Sequence, residues 1–239
     1  MKNVELLSFP GPDALAAAAA AAWLDEIEAA NRAGKSHCVA LSGGRITQKF
    51  FLSTAEKGLA RGVSFKGVHF FWADERCVPP DDDESNYKLA SDLLFEPLKI
   101  SDEQIHRLRG ELPPAEAVAM AIADLTRIAP GQDGQPIFDL IFLGMGEDGH
   151  VASLFPGESE SVMADRAVYR AVTAVKPPPR RMTLGYEAIA QAAEVWVMVS
   201  GAGKEKALGE SLSPAGKTPL ARVLRLRTQT KIVTDVRPQ

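Results

Sequence analysis

Asp148 and His150, one glycine apart, are the residues of this chain best suited to move a proton. An imidazole with an ordinary pKa of about 6.5 exchanges protons around neutrality, and a neighbouring carboxylate can orient it or stabilise its charged form. The six residues 138–143 just before them are apolar at five positions, the pattern of a strand covered on both faces. Gly144, Gly146 and Gly149 then let the backbone turn sharply and approach a ligand. In open α/β sheets ligands bind beyond the carboxyl ends of the strands, so the pair is expected at such an edge. A polar turn carrying a solvated histidine is the alternative that this segment leaves open.

Glycine-rich and basic clusters recur at other strand-like ends. Ser42-Gly43-Gly44 follows the apolar residues 37–41 and precedes a helical pattern. It reads either as an anion cradle of backbone N–H groups at a helix N-terminus or as a tight turn. It matches neither the Walker loop nor the dinucleotide fingerprint. Asp74-Glu75-Arg76 ends a strand over 67–73, and Arg76 offers a planar fork of donors to a phosphate or a partner to the acidic loop 81–84. Lys176-Pro177-Pro178-Pro179-Arg180-Arg181 sets three cations on a stiff turn, for a ligand or for solvent. Ser200-Gly201-Ala202-Gly203-Lys204 reads as a second set of backbone donors with Lys204 as a point charge, or as a glycine turn with an exposed lysine. Together the clusters suit a small anionic substrate, most naturally a phosphorylated metabolite. His37, His69 and His106 lack partners at metal-ligand spacing and are read as structural.

The elements that position these residues alternate along the chain. Strands are expected over 4–9, 37–41, 67–73, 138–143, 167–175, 194–200 and 230–234. Helices are expected after a cap near Asp13, over 46–60, from an N-cap at Ser85 to Leu94, from Ser101 with Gln104 as a capping box, from Pro113-Pro114 to Ile128, and after Tyr186 and Lys204. Residues 131–136 read as a loop. This is an α/β pattern: an open, mostly parallel sheet with helices on both faces, in a single domain over 1–239.

A hydrophobic fraction of 46% is ample for a core, and a net charge of −4 argues against a nucleic-acid partner. Cys38 and Cys77 are too few for a disulfide framework and read as buried thiols of a reducing compartment. The alanine run 16–22 lacks the basic flank of a signal segment, and no apolar stretch is long enough to span a bilayer, so a soluble, cytoplasmic protein without a membrane partner is expected.

The residues resemble the 6-phosphogluconolactonases over roughly 41–208. The resemblance rests on the whole run from Gly144 through Asp148, Gly149 and His150 to Pro156, and on Phe71 to Arg76 followed by Val78-Pro79 and Ser85-Asn86. Ser42-Gly43-Gly44, Lys176-Pro177-Pro178 with Arg181-Met182-Thr183, and Gly201-Ala202-Gly203-Lys204 fall in the family's order. It implies hydrolysis of 6-phospho-D-glucono-1,5-lactone to 6-phosphogluconate in the oxidative pentose phosphate pathway. No metal or organic cofactor is implied, and the fold is the one shared with sugar-phosphate isomerases and deaminases. The phosphorylated sugar lactone is the expected partner, of a monomer or small homo-oligomer. His150 becomes the general base with Asp148 behind it. Arg76, Arg181 and Lys204, with Ser42, Gly43, Gly44, Asp74 and Gly149, become the substrate and phosphate contacts.

One departure stands out: the family commonly has Ser-Thr-Pro after the two glycines, and this chain has Arg45-Ile46-Thr47. Arg45 is therefore held between a phosphate contact and a solvated side chain. The glucosamine-6-phosphate deaminases share the Asp-Gly-His element but carry a working glutamate where this chain has Phe155, which cannot titrate. A non-enzymatic sugar-phosphate sensor is the other rival; it would keep the cations without needing the Asp148–His150 pair.

Overall fold

The computed structural model of the chain describes residues 4–131 and 135–239. Nine strands form two sheets among these residues. Strand β1 (Val4–Ser8) leads to helix α1 (Pro12–Arg32), then β2 (His37–Leu41), α2 (Arg45–Arg61), β3 (Val68–Trp72) and the short β4 (Asp74–Arg76). Helix α3 (Asn86–Ala90) continues through a π turn, Ser91–Phe95, into α4 (Glu96–Leu98), and α5 (Pro114–Ile128) precedes β5 (Leu140–Gly144). The remaining elements are α6 (Glu160–Met163), β6 (Tyr169–Thr173), β7 (Arg180–Leu184), α7 (Tyr186–Gln191), β8 (Glu194–Val199), α8 (Glu205–Leu212), α9 (Pro219–Leu226) and β9 (Thr230–Thr234).

The main sheet has the order β1-β9-β8-β5-β2-β3, and every pairing in it is parallel. Strands buried along nearly their whole length, such as His37–Leu41 and Leu140–Leu143, need apolar cover on both faces, which explains their continuous apolar runs. Alternate residues of β3 show the two faces. Phe70 meets Trp23 of α1 edge-on, while Phe71 stacks on His106 and meets Phe138. Trp23 also packs against Phe50 of α2 and Phe142 of β5, with centroids 5.5 and 5.1 Å away, so one indole ties two helices to the sheet centre.

From β2 the chain moves outward to β3 on one side, whereas β5 is followed by β8 and β9 on the other. The sheet therefore changes direction between β2 and β5. Their carboxyl ends diverge there and leave a crevice, the usual ligand position in this architecture.

Two sequence expectations are corrected here. The strand expected over 167–175 is not part of the parallel sheet; β6 pairs antiparallel with β7, and β7 with β4, in a separate three-stranded sheet. The basic turn 176–181 is the connection of that hairpin, and it ends inside β7. Strand β7 escapes a period-based reading because it is short and both its faces are buried, Met182 and Leu184 on one and the polar Arg181 and Thr183 on the other. Helix α9, with Thr218 as N-cap, was likewise not anticipated.

Smaller differences lie at helix starts. Gly11 occupies the N-cap of α1 and Pro12 its first turn, while Asp13 pairs with Lys49 of α2 at 2.6 Å. Ser85 caps α3 as expected, accepting from the Lys88 N–H. The Ser101–Gln104 capping box starts only a 3₁₀ turn. Residues 132–134 of the expected loop lie outside the described residues. Among the described residues no helix is long and apolar enough to cross a membrane.

Candidate active site

The crevice between β2 and β5 is lined from both sides. Ser42, Gly43 and Gly44 follow the end of β2, Gly144 ends β5, and Gly146 and His150 come from the loop after it. The second sheet closes it with Asp74 and Arg76 of β4 and Arg181 of β7, and Lys204 comes from the start of α8. Four cations (Arg45, Arg76, Arg181, Lys204) face one carboxylate, Asp74, across this lining, an excess that selects an anion.

His150 Nδ1 lies 2.5 Å from Asp148 Oδ1. A carboxylate can only accept, so Nδ1 carries a proton, and in the neutral ring Nε2 is the nitrogen with the lone pair. Burial raises the Asp148 carboxyl, but the hydrogen bond and charge of His150 outweigh it, and its pKa lies below the usual range. Asp148 is thus the ionised acceptor behind the ring. A Cβ on Gly146 would lie 2.1 Å from the His150 ring, so only glycine lets the loop fold back against the imidazole. The Phe155 ring stands 5.0 Å from the imidazole, and the Arg181 guanidinium lies 5.8 Å from the centroid of the same ring.

Arg181 is buried, and its Nε donates to Pro178 O at 3.0 Å, so the proline turn aims the guanidinium. Burial, and then the charge of Arg76, lower its pKa. Of the three cations on that turn only Arg181 reaches the crevice; Lys176 and Arg180 are exposed. Arg76 satisfies both of its readings at once. Its Nη1 donates to Glu84 O at 2.6 Å and approaches Glu84 Oε2 at 3.2 Å, while the residue lines the crevice.

Asp74 is held rather than free. Its Oδ2 accepts from the Ser153 hydroxyl at 2.7 Å, and Asn86 Nδ2 donates to its carbonyl at 2.9 Å. Glu75 beside it accepts from the N–H groups of Arg76, Asn86 and Tyr87 at 2.7–2.8 Å and from the Ser85 hydroxyl at 3.2 Å. Burial pushes its pKa up to about 7 against the pull of those backbone donors. Four donors on two oxygens suit the carboxylate, which ties β4 to the start of α3.

Some expected contacts are placed differently. Ser42 lines the crevice, but its hydroxyl donates to Phe142 O at 2.8 Å, bridging β2 and β5. Gly149 turns away from the crevice: its carbonyl accepts from Leu220 N, and a Cβ on it would meet Thr218. The N–H groups of Gly201 and Gly203 already serve Asp235 and Glu205, which removes the expected second cradle and leaves Lys204 as that cluster's contribution. Cys77 is only partly buried, and Cys38 is the buried thiol, raised to about 12 by burial and by Asp139. His69 and His106 share a 3.1 Å contact with one another, and Trp23 donates to His37. Among the described residues no group of three or more His, Cys, Asp or Glu is placed to hold a metal.

Asn86, Ser153 and Ala152 belong to the runs that carry the resemblance, but the sequence alone assigns them no role at the site. Asn86 packs its amide against Gly43, where a Cβ would come within 1.9 Å of Oδ1. Ala152, also in the lining, has a left-handed φ of 49° that turns the chain between His150 and Ser153.

Comparison with known proteins shows the family and the fold. The family model described as glucosamine-6-phosphate isomerases/6-phosphogluconolactonase matches residues 10–233. A 6-phosphogluconolactonase of Mycobacterium bovis is 38% identical over 216 residues, covering 87% of this chain and 85% of its own. That of Treponema pallidum is 38% identical over 185 residues, covering 76% and 75% respectively. The solved structure of 6-phosphogluconolactonase from Trypanosoma brucei superposes with a TM-score of 0.83 at 27% identity, covering 98% of this chain and 96% of that one. A match over residues 10–233, within which every residue lining the crevice falls, means that the chain belongs to the glucosamine-6-phosphate isomerase/6-phosphogluconolactonase family.

Proposed function

We propose that the chain hydrolyses 6-phospho-D-glucono-1,5-lactone to 6-phosphogluconate with His150 as general base. It is a lactonase of the pentose phosphate pathway. The observation that carries this reading is the Asp148–His150 pair, closed at 2.5 Å, at the edge of a crevice lined by four cations.

A δ-lactone is an activated ester and needs no covalent nucleophile. Water adds to the carbonyl carbon as His150 Nε2 takes its proton, and the carbonyl π electrons move onto oxygen. Arg76, Arg181 and Lys204 hold the phosphate and screen the charge that develops in the crevice. When the oxyanion re-forms the carbonyl, the bond from carbon to the ring oxygen breaks and the imidazolium returns its proton to that oxygen. The acid product then ionises, leaving His150 neutral. Asp148 keeps the imidazole in the right tautomer throughout. Fixing the phosphate orients the remote carbonyl, since binding far from the reacting bond restricts its approach.

A deaminase needs a titratable group beside the histidine for ring opening. Phe155 stands there instead, 5.0 Å from the imidazole, and supports the lactonase. Freshly generated 6-phosphogluconolactone should be hydrolysed well above its spontaneous rate, and glucosamine 6-phosphate should release no ammonia. His150→Ala should lower kcat by about 10²–10⁴-fold with product binding retained. Unchanged turnover in that variant would remove His150 from the role.

A further inference from the structure

Three residues after His150 the loop reaches Ser153, which is fully buried and directs both of its donors out of the loop. Its hydroxyl donates to Asp74 Oδ2 at 2.7 Å, and its N–H donates to Thr183 Oγ1 at 3.1 Å. Asp74 and Thr183 are buried as well, and the Thr183 hydroxyl donates in turn to Leu184 O at 3.1 Å. Every donor of this chain thus has an acceptor. A buried network of this kind fixes relative positions, because a displacement leaves one of its polar groups without a partner.

The two acceptors face each other across the second sheet. Asp74 of β4 stands opposite Thr183 of β7, and two residues along the same strands Arg76 stands opposite Arg181. Residues two apart on a strand share a face. Ser153 is therefore docked one step from the pair of guanidinium groups that line the crevice, while it does not line the crevice itself. The strands set the distance from Ser153 to the arginines, and three residues of loop set its distance to the imidazole. Ala152, between them, has a left-handed φ of 49°, which a residue with a Cβ keeps only where its surroundings hold it. The two bonds of Ser153, directly after it, supply that hold. On the other side Gly146 N donates to His150 O at 2.9 Å and closes the loop.

We propose that Ser153 is a positioning residue: it pegs the loop of His150 to the Asp74–Thr183 pair and so sets where the base stands relative to Arg76 and Arg181. A shift between these two parts misaligns base, water and carbonyl while the cations still hold the anion. The inference rests on the lactonase reading and deepens it, since the effect of Ser153 on turnover passes through His150.

Ser153→Ala and Thr183→Val each remove one arm of the peg, and Thr183→Ser keeps the hydroxyl. On 6-phosphogluconolactone, at a temperature where the variants are folded, Ser153→Ala and Thr183→Val should each lower kcat by about 10–100-fold, with KM and the affinity for 6-phosphogluconate within about threefold of the parent. Thr183→Ser should keep kcat within about threefold. An unchanged kcat per folded molecule with a lowered melting temperature would make the bonds merely structural and overturn the proposal. A loss confined to KM, or an equal loss in Thr183→Ser and Thr183→Val, overturns it too. Histidine ring resonances in isotope-labelled protein give a readout independent of turnover: those of His150 should shift in Ser153→Ala and Thr183→Val, with those of His37, His69 and His106 unmoved. Unmoved His150 resonances overturn the proposal. Should the parent hydrolyse no lactone, the lactonase reading fails, and the resonances still decide whether Ser153 positions the imidazole. Should Ser153→Ala fail to fold, the two Thr183 variants decide alone.

Discussion

At the scale of single residues the chemistry rests on which atom of His150 holds a proton. Asp148, its carboxyl lowered by its contact with Nδ1, accepts there, and this leaves Nε2 as the atom that the proposed mechanism uses as base. Asparagine in its place presents an N–H as readily as an oxygen, and the imidazole can then carry its proton on the wrong nitrogen. Asp148→Asn should therefore lower kcat by about 10²–10⁴-fold while KM and melting temperature change little; a kcat within twofold of the parent would show that the carboxylate does not set the tautomer. The pair was legible in the sequence because both residues sit in one short run after an apolar strand. Ser153, three residues on, was not: its role is a bond to Asp74, 79 positions away in the chain. Asn86 is similar, since its amide matters through Gly43 and Asp74, and neither is its neighbour in sequence. Arg76, Arg181 and Lys204 could be named as cations of the crevice, but their aim comes from Glu84, the proline turn and the start of α8.

At the scale of elements, the loop after β5 must hold its imidazole against its own backbone. Gly146 accepts that ring at a distance where any Cβ collides: 2.1 Å from His150 and 2.8 Å from Asp148 Oδ1. In Gly146→Ala the backbone on both sides is part of a tight turn, with Gly146 N donating to His150 O at 2.9 Å, so the side chains must move. A displacement of the base by about 1 Å costs on the order of 10²-fold in rate, whereas crowding of this kind costs about 1–3 kcal/mol in stability. The variant should remain folded and lose kcat, and parallel measurement of turnover and thermal melting would separate the two; full activity would mean that the loop adapts without moving the imidazole. The parallel strands were readable because burial on both faces writes continuous apolar runs. Strands β4 and β7 were not, because they are only three and five residues long and bury polar side chains (Asp74, Glu75, Arg181 and Thr183) alongside Met182 and Leu184.

At the scale of the whole molecule the two ends of the main sheet differ. Its carboxyl end carries the cations of the crevice, while acids gather at its amino end: Asp139 just before β5, Glu194 opening β8, and Glu26 of α1, with Lys231 of β9 among them. A net charge of −4 is compatible with a crevice that attracts anions, because the crevice lining itself sets four cations against one carboxylate. Crowding at the amino end has a measurable consequence. Burial, then the charge of Glu194, push Glu26 up to about 7, with Lys231 opposing and Asp139 adding to the rise. A carboxyl raised in the folded state binds its proton more tightly there than in the unfolded chain. Its contribution to stability is fully present below about 4.5 and is lost as pH rises through about 7. Glu26→Gln, neutral at every pH, should match the parent near pH 4.5 and be more stable above pH 7. After a discount for its partial exposure, the gain at pH 8 is about 1–2 kcal/mol, or roughly 2–8 °C in melting temperature for a chain of this size. The crevice lies a strand length away, roughly 17 Å, so turnover at a fixed pH should not follow the melting temperature. Melting curves of parent and variant between pH 4.5 and 8.5 would decide: parallel curves would mean that Glu26 titrates as an ordinary surface acid, and a gap that opens only on the alkaline side would place the strain at the end of the sheet that does no chemistry.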